Sequence, residues 1–134
     1  MRSLLKEFVF IAALVAAGAG YSLISGLAPP PWAEPELAPG EIRYDDVAPL
    51  EVIWIDSRES EAYEADHLDD AIHLNEDNWD GALPQLMERW LPDPRPIVVY
   101  CASEACGTSR RVADRLRDAL PDAEVYSLKG GWPQ

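Results

Sequence analysis

Beyond position 50 the apolar residues fall into short unbroken runs separated by amphipathic stretches. Val52-Ile53-Trp54-Ile55 is one run, ending at Asp56, and Pro96-Ile97-Val98-Val99-Tyr100 is another, ending at Cys101. Runs of this length without polar interruption predict strands buried on both faces. Ala71-Ile72-His73-Leu74 predicts a short strand, and Glu124 to Leu128 a last one. Between them the period changes. Leu83, Leu86, Met87, Trp90 and Leu91 predict a helix over Trp79 to Leu91, stopped by Pro92-Asp93-Pro94. Val112, Ala113, Leu116 and Leu120 predict another over Ser109 to Leu120, and Ser60 to His67 reads as a shorter helix with Ser57 or Ser60 as its N-cap. The alternation predicts an α/β domain with a central, mostly parallel sheet flanked by helices. Ligands bind such sheets at the carboxyl ends of the strands, which is where Cys101 falls.

The amino-terminal pattern is different. Phe8 to Leu27 is 20 residues without a charge, about 30 Å as a helix, enough to cross a bilayer's hydrocarbon core. A transmembrane helix is therefore expected at residues 8–28, acting as a signal anchor with the lipid bilayer as its partner. Arg2 and Lys6 lie before it, in residues 1–7, and the next charges after it are Glu34, Glu36 and Glu41. That bias places the N-terminus in the cytoplasm and the remainder on the periplasmic or extracytoplasmic side of a single-pass protein. Ala17-Gly18-Ala19 also has the form of a cleavage site, so a removed secretory signal is the alternative. Residues 29–40 are proline-dense and predict a stiff, extended spacer. Residues 41–134 suffice for one small domain.

Charge and cysteine content narrow the function. The net charge is −13, nearly all of the acid lying after the apolar segment. Such a surface repels phosphate backbones, so nucleic acid is not an expected partner, and an anionic substrate must be captured locally. Cys101 and Cys106 are the two cysteines. Their C-x4-C spacing, with His67 and His73 as the two histidines, does not make a zinc site, and no metal is expected.

Cys101 precedes Ala102, Ser103, Glu104, Ala105, Cys106, Gly107, Thr108 and Ser109, a loop that opens a helix. Amides at a helix start carry partial positive charge and favour a thiolate, a persulfide or a bound oxyanion. The loop residues other than the cysteines are thus candidates for anion binding, with Arg110 in the first helical turn as a candidate substrate contact. Arg111 and Arg115 stand four apart on a helix that also carries Asp114 and Asp118, which predicts a paired, solvated face. Glu104 opposes anion binding if it points inward.

Ile55-Asp56-Ser57-Arg58, Tyr63, His67-Leu68-Asp69-Asp70-Ala71-Ile72-His73-Leu74, Val98-Val99-Tyr100-Cys101 and Tyr126-Ser127-Leu128-Lys129-Gly130-Gly131-Trp132 together resemble, in order, the signatures of a rhodanese-like domain. The resemblance covers about residues 42 to 132. It implies a small α/β fold and sulfurtransferase chemistry of the thiosulfate type, with sulfane sulfur carried as a persulfide on Cys101 and no cofactor. The partners implied are a small sulfur-containing anion and a thiol acceptor. Asp56 and Arg58 match a structural element of the family, His67 is expected to cap or edge the core, and Gly130 and Gly131 to form a tight turn. The familiar Gly-His-x-Pro-Gly-Ala piece appears here as Asp66-His67-Leu68-Asp69-Asp70-Ala71, so that turn is built differently.

Cys106 leaves the function open in one respect. It could attack a Cys101 persulfide and close a disulfide, making a thiol-disulfide redox module that needs a redox protein partner, or it could be an inert residue at the helix start. A non-catalytic rhodanese-like interaction domain is the third class. A phosphatase is disfavoured, because the position six after Cys101, where that chemistry wants arginine, is Gly107.

Overall fold

The computed structural model describes residues 2–26, 32–103 and 107–131. It divides into two compact units, Met1–Glu36 and Leu37–Gln134. The first unit is built around helix α1, Arg2–Ile24. Among the described residues this is the one helix long and apolar enough to span a membrane, through Leu4–Ser22. It begins before the apolar run, at Arg2, and ends at Ile24, just ahead of Gly26, whose left-handed conformation (φ 68°) closes the helix.

The second unit carries five strands, β1 (Glu41–Ile42), β2 (Ile53–Asp56), β3 (Ile72–His73), β4 (Ile97–Tyr100) and β5 (Val125–Leu128). They form one sheet in the order β1-β5-β4-β2-β3, with every pairing parallel. The expected central parallel sheet flanked by helices is thus present. Its helices are α2 (Tyr44–Val47), α3 (Ser60–Ala65), α4 (Trp79–Trp90) and α5 (Thr108–Ala119).

Alternation along the strands sorts two cores. Ile53, Ile55, Ile97 and Val99 face one side and meet Leu86 of α4 and Val112 and Leu116 of α5. Val98, Tyr100 and Leu128 face the other and meet Val47 of α2, with Trp54 and Leu68 packed against them. Central strand β4 is buried at all four positions, which is why its sequence reads as an unbroken apolar run.

The capping expectation for α3 does not hold. Its N-cap is Glu59, with no side-chain cap bond. Ser57 instead turns across the sheet, where its hydroxyl donates to the Tyr100 carbonyl at 2.8 Å. The helix also stops at Ala65 rather than His67. Arg58 Nη2 binds the Asp66 carbonyl at 2.5 Å and His67 Nδ1 binds the Tyr63 carbonyl at 2.8 Å, so carbonyls at the helix end are taken by side chains.

Candidate functional site

Cys101 leaves the end of β4 almost fully buried, at 2% exposure. The preceding residue is pinned: both the amide (3.1 Å) and the hydroxyl (2.8 Å) of Ser57 donate to the Tyr100 carbonyl. Ser57 itself is buried at the end of β2. The register pairs Asp56 with Tyr100, so the two strand ends present Ser57 and Cys101 side by side at the carboxyl edge of the sheet. Cys101 is disulfide-bonded.

Ala102 and Ser103 follow as exposed bends, while Glu104, Ala105 and Cys106 lie outside the described residues. Gly107 is the N-cap of α5, and Thr108 and Ser109 form its first turn, with Ser109 buried. The far wall of the loop is the turn after β5. Gly130 and Gly131 both have positive φ, 88° and 78°, and a Cβ on Gly131 would lie 2.6 Å from the Cα of Ser103. Only glycine permits that approach.

Beneath the edge lies a charged network. Asp56, with no exposed surface, receives Arg58 bidentately, with Nε at 3.0 Å and Nη2 at 2.7 Å, and the Tyr100 hydroxyl at 2.9 Å. The Leu68 amide completes the Tyr100 oxygen at 3.3 Å. Burial raises the Tyr100 hydroxyl well above the ordinary tyrosine range, and the hydrogen bond to Asp56 adds to the rise. The hydrogen bond with Asp56 likewise holds the Arg58 guanidinium more firmly protonated, against a smaller opposing effect of burial. The element expected from Asp56 and Arg58 is therefore an internal ion pair at the turn into α3.

His67 is exposed and stacks on Tyr63, whose other neighbour is His73, with ring centroids 3.9 Å and 4.7 Å apart. His73 Nε2 lies 2.9 Å from the Arg58 carbonyl, an acceptor only, so it carries the hydrogen, and Nδ1 accepts from Asn78 at 3.2 Å. Neither histidine ring is brought to Cys101 by these contacts. Among the described residues no group of three His, Cys, Asp or Glu side chains is placed to hold a metal ion.

The α5 arginines do not pair along their helix as expected, apart from Arg117 with Asp114. Arg110 turns to the β1 carboxylate of Glu41, which also receives Lys129 at 3.6 Å and the Ala38 amide at 2.8 Å. Arg115 lies over the ring of Trp79 at 4.0 Å. Arg111 lies nearer the loop: its guanidinium would meet a Cβ on Gly107 at 3.2 Å, and it reaches Thr108 Oγ1 at 3.2 Å and Glu76 at 3.3 Å. Glu41 and Glu76, which take Arg110 and Arg111, are not marked by the local sequence pattern, and neither is the bond that Ser57 makes to Tyr100. The available signal was positional, since Ser57 and Tyr100 both border predicted strand ends.

Comparison with known proteins adds a family. The rhodanese-like domain family matches residues 43–134. No curated protein matches the chain. A solved structure, the N-terminal domain of a protein from Clostridium difficile 630 named for ATP/GTP binding, is similar at 22% identity with a TM-score of 0.46, over 69% of this chain and 92% of that one.

Proposed function

The chain belongs to the rhodanese-like domain family, and on that premise we propose that it is a sulfurtransferase whose sulfur carrier is Cys101. The observation that carries the proposal is the placing of Cys101 at the carboxyl end of the central strand, with its backbone pinned by Ser57 and its loop leading into α5. The Cys101 thiolate attacks the outer sulfur of a donor such as thiosulfate; the sulfur–sulfur bond of the donor breaks and sulfite leaves with the electron pair. The Cys101 persulfide then passes its terminal sulfur to cyanide or an acceptor thiol, which restores the thiolate. Amides of the loop from Ala102 to Ser109 hold the anionic group.

A second role is favoured by the disulfide at Cys101. The chain has two cysteines, so the proposal assigns Cys106 as the partner. An external thiolate opens this disulfide, and a second thiol completes the two-electron reduction, leaving two protein thiols. In the reverse sense, a Cys106 thiol meeting a Cys101 persulfide closes the disulfide and expels hydrogen sulfide. A reducing dithiol partner belongs to this reading.

For localisation, the reading is a single-pass protein anchored through residues 8–28, with residues 1–7 cytoplasmic, residues 29–40 as spacer and the domain outside. It is supported by the apolar helix and by Arg2 and Lys6 before it.

Sulfite release from thiosulfate in the presence of cyanide, after reduction, tests both roles. Sulfur transfer predicts loss of activity in Cys101→Ser and its survival in Cys106→Ser. Loss in both variants favours the redox module, and survival in Cys101→Ser overturns both.

A further inference from the structure

Glu76 stands at the tip of the loop between β3 and α4, and that loop is built to hold it. Asn75 Oδ1 accepts the amides of Asp77 and Asn78, each at 3.0 Å, while Asn78 Oδ1 accepts the Asn75 amide at 2.8 Å. Asn75 is buried and its Nδ2 donates to the Arg58 carbonyl at 3.1 Å, tying the clasp to the network beneath the sheet edge. The clasp presents the Glu76 carboxylate to Arg111 of α5, with Nε 3.3 Å from Oε1 and Nη2 3.3 Å from Oε2. Both side chains remain about half exposed. Arg110 and Lys129 are turned to the buried carboxylate of Glu41, so their charge is already met. Arg111 is the cation at the end of the Cys101 loop whose carboxylate partner is open to solvent.

We infer that Arg111 is the anion-recruiting residue of the Cys101 site and that Glu76 is its built-in competitor, so the chain discriminates by charge against dianionic sulfur donors. The inference rests on the sulfur-transfer reading for its substrate class. Thiosulfate must displace Glu76 from Arg111 and bring two negative charges close to that carboxylate. A monoanionic donor of the same chemistry, such as benzenethiosulfonate, meets half that repulsion. It delivers the same sulfane sulfur to the Cys101 thiolate and releases benzenesulfinate in place of sulfite. An exposed ion pair is weak, so the discrimination is modest and screened by salt.

The test is the ratio of the KM for thiosulfate to that for benzenethiosulfonate, measured on the reduced protein. Glu76→Gln lowers this ratio about two- to fivefold, the size an exposed pair confers, and the gain shrinks in high salt. Adding Arg111→Gln to the same chain removes the gain. An equal shift for both donors, no shift, or a gain that persists without Arg111 overturns the inference. Protection of Cys101 from iodoacetamide by sulfate, an unreactive dianion, separates this inference from the reading beneath it. If neither donor transfers sulfur but Glu76→Gln still lowers the half-protecting sulfate concentration, the sulfurtransferase reading fails and the charge gate stands. Unchanged protection in that case overturns the gate as well.

Discussion

Tyr100 and Asp56 are register partners on adjacent parallel strands, and the Tyr100 hydroxyl donates to Asp56 Oδ2 at 2.9 Å with both residues fully buried. The pair lies one residue before Cys101 and Ser57 respectively, so the polar network under the sheet edge and the candidate site share the same strand ends. The carboxylate serves two donors, Tyr100 and Arg58, and the roles differ in cost. Tyr100→Phe removes the bond to Asp56 and takes the acceptor from the Leu68 amide, while Arg58 still satisfies Asp56, which costs about 2 kcal/mol. Asp56→Ala leaves Arg58, mostly buried, without its counter-charge and costs about 3–5 kcal/mol. Urea unfolding of the two variants measures the difference, and equal losses would contradict this division of roles.

Glu41 gives a pH dependence. Its carboxyl is held below its ordinary value by the Ala38 amide, against the opposing effect of burial, with Arg110 and Lys129 adding to the lowering. A depressed carboxyl contributes stability that is present above its unfolded value, about 4.3, and is lost as pH falls through the folded value. The stability gap between the native chain and Glu41→Gln is therefore full at neutral pH and closes below about pH 4. Denaturation midpoints at neutral and acid pH check this, and a gap that widens on acidification reverses the assignment.

Asp70 has φ 64°, the only positive φ at a non-glycine among the described residues. It stands where the family's turn carries glycine. Aspartate tolerates the left-handed region at a cost, which glycine removes while adding some unfolded-chain entropy. Asp70→Gly should stabilise the domain by ~0.5 kcal/mol, and Asp70→Val should destabilise it by ~1 kcal/mol or more. Thermal unfolding of both variants reads the sign.

Gly131 and Gly130 form a matched pair of positions. Both have left-handed φ, but a Cβ on Gly131 meets the Ser103 backbone, whereas one on Gly130 meets nothing within 4 Å. Alanine at either site carries the conformational strain, and at 131 it also displaces the loop after Cys101. The alkylation rate of reduced Cys101 should change by about tenfold in Gly131→Ala and stay near the native rate in Gly130→Ala. Equal rates in the two variants would show that the turn does not shape the loop.

Much of the fold was legible because the central strands are largely buried on both faces, so β4 is apolar throughout and β2 is apolar up to its last residue, Asp56. Ile53–Asp56, Ile97–Tyr100 and Val125–Leu128 lie within the runs that pattern alone identifies. β1 was not legible. Glu41–Ile42 is a two-residue edge strand that exists through pairing with Ser127 and Leu128, and two residues have no period. Ser57 was misread as a cap because a serine before a helix is usually one, while here its hydroxyl is drawn across to β4. The strand-end position of Cys101 was legible, since an apolar run directly precedes it. The destinations of Arg110 and Arg111 were not, since Glu41 and Glu76 lie 69 and 35 residues away along the chain and reach α5 only through the sheet order.

The central claim is that Cys101 carries sulfane sulfur. The most direct measurement is mass spectrometry of the protein after disulfide reduction, removal of the reductant and treatment with thiosulfate. The account predicts a gain of about 32 Da, one sulfur atom, on the peptide that contains Cys101, removed again by cyanide and absent in Cys101→Ser. A reduced, folded protein whose Cys101 peptide gains no sulfur would contradict it.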